Sequence, residues 1–191
     1  MSYDIFKYWS TREKPNNPKS FIEDRLCFDI NFIGTYAAGQ GPVFELGPGI
    51  GRTFGAYDRG REVQTLDVTD RYCGELQQAA AKQGVVLKSA YIADLSKPFP
   101  FEDDAFDCGV AFQVFLHQPP AVFELAFSEM ARICKSLVFN AGIHANSPAA
   151  VKAKNDHVFA HDYLAAAERN RLAFSRLAVR DMHIYAVTER V

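Results

Sequence analysis

The stretch Val43-Phe44-Glu45-Leu46-Gly47-Pro48-Gly49-Ile50-Gly51-Arg52 constrains this chain more than any other. An apolar run carrying one acid breaks into glycines at 47, 49 and 51. The run reads as a buried strand. Glycines at that spacing let the backbone turn sharply and approach a ligand without interference from a Cβ. They also present N–H groups at the start of whatever helix follows. Together these features place a nucleotide-type site at the carboxyl edge of a parallel sheet. The bland alternative is a glycine-rich turn that binds nothing.

Two cofactor classes compete for such a loop. The dinucleotide fingerprint G-x-G-x-x-G sets a pyrophosphate on a helix N-terminus. Here the third glycine comes one residue early, and Arg52 stands where the fingerprint needs glycine. Glu45, just before the loop, would repel a pyrophosphate and attract a cationic amino group. An NAD(P)-dependent oxidoreductase therefore fits poorly.

The remaining length and composition bound the class. At 191 residues, the chain suits one domain with a substantial core. A net charge of -2, with Lys and Arg scattered rather than striped, argues against a nucleic-acid partner. Cys27, Cys73, Cys108 and Cys134 form no C-x-x-C pair, so reduced thiols are expected and no metal site. The N-terminus Met1-Ser2-Tyr3-Asp4 lacks the basic and apolar regions of a signal peptide, and no window is apolar enough to span a membrane. A cytoplasmic protein, monomer or homodimer, with no membrane partner is the expectation.

Along the chain, residues 1–42 read as a preface: a polar and aromatic start, a Pro15–Pro18 breaker, then a helix capped by Ser20 and Glu23 and running to Gly39. Residues 43–191 read as the core. A short helix to about Asp58 follows the glycine loop, then a strand over Glu62–Asp67 ending in an acid. Asp67 lies 20 residues after Gly47, a spacing at which a carboxylate reaches a ribose hydroxyl pair. A helix over Asp70–Gln83 closes on Gly84, and strands follow at Val85–Tyr91 and Phe106–Phe112. The intervening Ser96-Lys97-Pro98-Phe99-Pro100 forbids a long helix. A helix over Pro119–Lys135, a strand at Leu137–Phe139, an ambiguous stretch over 142–161, a helix over Asp162–Arg169 and two last strands complete the order. This alternation predicts one α/β domain, a Rossmann-like, doubly wound, mostly parallel sheet ending in an antiparallel strand.

The stretch from Val43 to Gly51 resembles the first motif of class I S-adenosylmethionine-dependent methyltransferases. Later segments strengthen the likeness in the correct order: Ala93-Asp94-Leu95 with its proline-bound loop and the Asp103–Asp107 entry to a strand, then Phe112–His117, then Glu129–Lys135. The likeness covers about residues 43–191. It departs where family members often carry Gly-Gly after the lysine, since Ser136 here leads directly into the strand. The resemblance implies S-adenosylmethionine as cofactor and S-adenosylhomocysteine as product. It puts Glu45 and the backbone of Gly47, Gly49 and Gly51 around the methionine portion, and Asp67 with Val68 at the ribose. It also puts Asp94 and Leu95 beside the adenine, and Gln113 at the sulfonium end. Arg12, in the preface, suits the methionine carboxylate, and the preface itself is a possible lid over the cofactor.

Methyl transfer to a hydroxyl needs a base near the end of the fourth strand. Between Gln113 and Pro120 no acid occurs, and His117 is the one side chain able to take a proton, so it is the catalytic candidate. Its bland reading is a capping or packing histidine. Tyr3, Phe6, Tyr8 and Trp9 offer aromatic walls for a small-molecule acceptor, although aromatic clusters near a terminus are more often core packing. The acceptor atom, whether oxygen, nitrogen or carbon, stays open, with a sugar or natural-product hydroxyl as the working choice. A non-catalytic S-adenosylmethionine-binding protein of the same fold is the alternative.

Overall fold

Strand β1 (Val43–Leu46) is buried along its whole length, because the sheet continues on both sides of it and helices cover both faces. Its side chains alternate. Phe44 and Leu46 enter one apolar layer and Val43 the other, which fixes the side on which Glu45 must lie. The computed structural model describes residues 4–11, 19–39, 41–142, 144–146, 157–180 and 183–191. Parallel neighbours of β1 are β2 (Glu62–Asp67) and β4 (Phe106–Ala111), while β3 (Val86–Ile92) and β5 (Cys134–Gly142) extend the sheet outward. Two antiparallel strands, β6 (Leu172–Arg180) and β7 (His183–Arg190), close it in the order β3-β2-β1-β4-β5-β7-β6.

Helices α2 (Lys19–Tyr36) and α3 (Cys73–Gln83) cover one face, contributing Phe32, Ile33, Leu76 and Ala80 to its core. On the other face α4 (Pro120–Ile133) and α5 (Tyr163–Arg169) bury Phe123, Phe127, Met130 and Tyr163. The proline at the first turn of α4 costs nothing there, since that N–H has no helical partner anyway. Gly84 stops α3 in the left-handed conformation, as its place in the sequence foretells. The fold is therefore the single α/β domain with a mostly parallel, doubly wound sheet that the pattern predicts. None of the described helices is long and apolar enough to cross a membrane.

Three local readings change. The segment after the glycine loop forms only a three-residue 3-10 turn, Phe54–Ala56, rather than a helix to Asp58. Phe54 and Tyr57 are both buried there, and that double anchoring leaves no room for a regular exposed face. Lys19 and Ser20 are already helical, so Ser20 lies inside α2 instead of capping it. Strand β5 begins at Cys134, directly at the end of α4, because Ser136 needs no turn before it.

Arg52 ties the glycine loop to both ends of the chain. Its guanidinium donates to Asp29 Oδ2 of α2 at 2.7 Å, and Tyr185 of β7 donates to Oδ1 at 2.9 Å. Asp29 is fully buried, so these two donors supply what water cannot.

Candidate functional site

A crevice opens where the carboxyl ends of β1, β2 and β4 diverge, the position at which ligands sit in open α/β sheets. Gly47 and Gly49 of the loop form one wall. Both have positive φ, +62° and +52°. At Gly47 a Cβ would come within 2.6 Å of Val114 Cγ2, so only glycine lets the loop lie against the segment after β4. At Gly49 a Cβ would meet nothing within 4 Å, leaving the backbone open to the crevice. Gly51 is not part of this wall; it packs against Ala79 and Leu76 of α3.

The second wall is the end of β2 with Leu66, Asp67, Val68, Thr69 and Tyr72. Among the described residues the Asp67 carboxylate is held by backbone donors. Oδ1 accepts from Val68 N–H at 2.7 Å and Thr69 N–H at 3.3 Å, and Oδ2 accepts from Gly49 N–H at 3.2 Å. Burial raises its pKa above the ordinary aspartate value, against the pull of those three N–H groups. Thr69 and Tyr72 were missed from sequence, although both follow Asp67 on the same sheet edge.

The third wall comes from the segment after β4: Gln113, Val114, His117 and Gln118. Gln113 adopts φ +62°, a left-handed conformation unusual for a residue with a Cβ, and its Nε2 is buried with no hydrogen-bond partner. His117 Nδ1 lies 2.9 Å from the carbonyl of His157. A carbonyl only accepts, so Nδ1 carries a proton and donates it to that carbonyl. Trp9 of the N-terminal helix α1 (Ile5–Thr11) meets the His117 ring edge to face at 4.9 Å and also lines the crevice. His157 stacks on His117 at 5.5 Å and on Tyr8 at 4.7 Å. Tyr8 and Trp9 thus stand at the crevice mouth rather than in the core.

A side pocket continues the crevice past Val68 and Leu95, lined further by Ile92, Ala93 and Asp94 and covered by Ile5 and Phe6 of α1. Asp94 is exposed, and its Oδ1 accepts from Ser96 N–H at 2.9 Å. Hydrogen bonding from Ser96 holds its carboxyl below the ordinary range. Arg12 lies outside the described residues. The other histidines serve the framework: His161 is buried, donates Nε2–H to Phe115 O at 2.9 Å and stacks on Phe123 at 4.0 Å.

Glu45, like Gly51, is an expected site residue that the crevice does not include. It lies beneath the loop, on the Val43 side of β1, where Oε1 accepts from Thr53 at 2.5 Å and Oε2 from Tyr57 at 2.6 Å. Strand alternation places it there, and both hydroxyls come from the turn that replaces the expected helix. Burial raises its pKa, with Thr53, Tyr57 and Arg52 opposing. A folded pKa above the unfolded one means that the Glu45 contribution favours folding most in acid and is lost as pH rises through the folded value. Glu45→Gln keeps the size and can pair with both hydroxyls. The variant should melt above the parent at neutral pH, with the difference shrinking as pH falls. Calorimetry showing a difference independent of pH would disprove this account of Glu45.

Residues 44–138 match a family model described as a methyltransferase domain. The fold is similar to that of geranyl diphosphate C-methyltransferase from Streptomyces coelicolor, at 14% identity and TM-score 0.70, over 98% of this chain and 97% of that one. Magnesium protoporphyrin IX methyltransferase from Synechocystis, solved with bound S-adenosylhomocysteine, is 15% identical at TM-score 0.70, over 97% of this chain and 94% of that one. A structure from Haloferax volcanii, described as a complex between the Trm112 methyltransferase activator and a methyltransferase named only as such, matches at 14% identity and TM-score 0.69, over 99% of each chain. Comparison with curated proteins finds no match.

Proposed function

Because this chain belongs to the class I S-adenosylmethionine-dependent methyltransferases, we propose that it is an enzyme methylating a hydroxyl of a small molecule. The observation that carries the reading is the convergence of the Gly47–Gly49 backbone and the Asp67 carboxylate on one crevice beside the end of β4. The open backbone at Gly49 and the unpartnered Gln113 Nε2 fit a polar ligand seated there.

S-adenosylmethionine, when bound, supplies a methyl group on a sulfonium. In this reading Asp67 accepts from the ribose hydroxyls and Val68 lies beside the same sugar. Asp94 and Leu95 flank the adenine in the side pocket. The glycine loop surrounds the methionine portion, and Gln113 closes the sulfonium end. Glu45 then acts from below, as a buried carboxylate that holds Thr53 and Tyr57 and so the shape of the loop. His117, its Nδ1–H fixed on the His157 carbonyl, is the base that takes the proton of the acceptor hydroxyl as the new bond forms. The similar enzymes are named for different acceptors, geranyl diphosphate and magnesium protoporphyrin IX, so the acceptor must be argued from this crevice.

Calorimetry with S-adenosylmethionine, S-adenosylhomocysteine and NAD tests the reading. The first two should bind and NAD should not; micromolar NAD affinity with none for S-adenosylmethionine or S-adenosylhomocysteine would sink it.

The preface belongs to the same proposal. Helix α1 covers the side pocket through Ile5 and Phe6 and the crevice through Trp9, and Arg71 Nη1 donates to Ser10 O at 2.9 Å. In this reading the helix acts as a lid over the 43–191 core. Hydrogen exchange over residues 4–11 should slow when S-adenosylhomocysteine is added. Unchanged protection there would mean a fixed cover.

A further inference from the structure

Gln118 lines the same crevice but is given no task by the cofactor. It is 97% buried, with a relative exposure of 3%. Its Nε2 donates to Val114 O at a long 3.4 Å, and that bond assigns the other amide atom as Oε1. Oε1 is buried and has no hydrogen-bond partner among the described residues. Buried polar atoms are almost always paired, and a native protein that keeps one unpaired next to a ligand crevice has a reason for the expense.

The rest of that end of the crevice says what kind of molecule answers the amide. Among the described lining residues Asp67 is the only charged side chain, and there is no Lys or Arg. Among the described residues a phosphate or carboxylate on the acceptor would find no cation there, and a desolvated anion without a partner is strongly disfavoured. The lining rings are flat and set close together: Trp9 against His117 at 4.9 Å, with Tyr72 on the opposite wall. Such walls favour a planar apolar body.

We infer that Gln118 reads the methyl acceptor by accepting a hydrogen bond from it, and that the acceptor is an uncharged planar molecule bearing a hydroxyl or N–H donor. The inference rests on the methyltransferase reading and deepens it, because it names the chemistry of the second substrate. Gln118 is a specificity residue here; the proton leaves the acceptor through His117.

Three probes test this in protein first saturated with S-adenosylhomocysteine: coumarin, its hydroxylated analogue umbelliferone at a pH where the phenol is neutral, and umbelliferyl phosphate. Umbelliferone should bind roughly tenfold more tightly than coumarin, the worth of one neutral hydrogen bond. The phosphate should bind more weakly than umbelliferone. In Gln118→Leu the preference for umbelliferone over coumarin should fall to within about twofold, because the acceptor atom is gone. Thermal melting of the free Gln118→Leu protein should equal or exceed the parent's, since a buried unpaired oxygen has been removed; a merely structural glutamine would give a loss instead. Gln118→Met serves the same comparison if the leucine variant does not fold. Failure of S-adenosylhomocysteine to bind would overturn the methyltransferase reading, and this inference with it. With S-adenosylhomocysteine bound, three outcomes overturn the inference alone: equal affinity for coumarin and umbelliferone, no binding of either, or a preference unchanged in the variants.

Discussion

His117→Gln and His117→Ala should bind S-adenosylhomocysteine as the parent does and lose about 10²–10⁴-fold of turnover, the usual cost of removing a general base. The geometry behind this expectation has two parts. Position comes from the segment after β4, where His117 lines the crevice four residues beyond Gln113, at the end of a single 3-10 turn. Orientation comes from His157, whose backbone carbonyl accepts from Nδ1–H at 2.9 Å and fixes the ring beside the crevice. The other candidates on this wall are amides, which cannot take a proton. His161 is engaged through Nε2 with the Phe115 carbonyl, and burial lowers its pKa, so it serves packing rather than proton transfer. A base acts only when unprotonated, so turnover should rise with pH and then level off, and this rise should vanish in both variants. Near-parental turnover by His117→Gln on the true acceptor would remove the assignment. Proximity alone, or a residue of the 142–161 stretch, would then carry the reaction.

Asp67→Ala should weaken S-adenosylhomocysteine binding by about 1.5–3 kcal/mol, roughly 10- to 150-fold in Kd, as for hydrogen bonds to a charged group. The carboxylate also accepts from three backbone N–H groups that hold the glycine loop to the end of β2, so the alanine variant tests two things at once. Asp67→Asn separates them. Its amide oxygen can still accept from Val68 and Thr69, and only the 3.2 Å bond from Gly49 N–H is lost, so stability should fall less than in the alanine variant while the charge-assisted bonds to the ribose are lost. Calorimetry of binding, read beside thermal melting, distinguishes the outcomes. Parental affinity in both variants would exclude Asp67 from the ribose.

Much of the fold was legible because local chemistry and global packing agree. The strand expected over Glu62–Asp67 is β2 to the residue, since an apolar alternation there is bounded by Gly60 and by the Asp67 turn. The helix expected after Pro119 is α4, and Gly84 ends α3 where it should. The absence of a helix between β3 and β4 follows from Pro98 and Pro100. The site was legible in outline for a related reason. In a parallel sheet, residues at strand ends converge on one edge, so Gly47, Asp67, Leu95 and Gln113 reach the same crevice although they are far apart in sequence.

What failed to show was the direction of individual side chains and the partners brought from elsewhere. Glu45 stands next to the loop in sequence, yet the period of two in β1 turns it under the sheet, and only the fold brings Thr53 and Tyr57 to its carboxylate. The sequence offers Trp9 as one of four aromatic rings for an acceptor wall but does not single it out; its place depends on contacts with His117, more than a hundred residues away. Gln118 looks like any polar residue before a proline until its burial and its unpaired oxygen are seen. By itself, then, the sequence determined the elements, their order, the parallel sheet and the glycine-loop edge, because those depend on periodicity, glycine and proline. Tertiary structure alone decided which polar atoms are buried, which are paired, and which aromatic rings close the crevice. Those are properties of surfaces that meet only when the chain is folded.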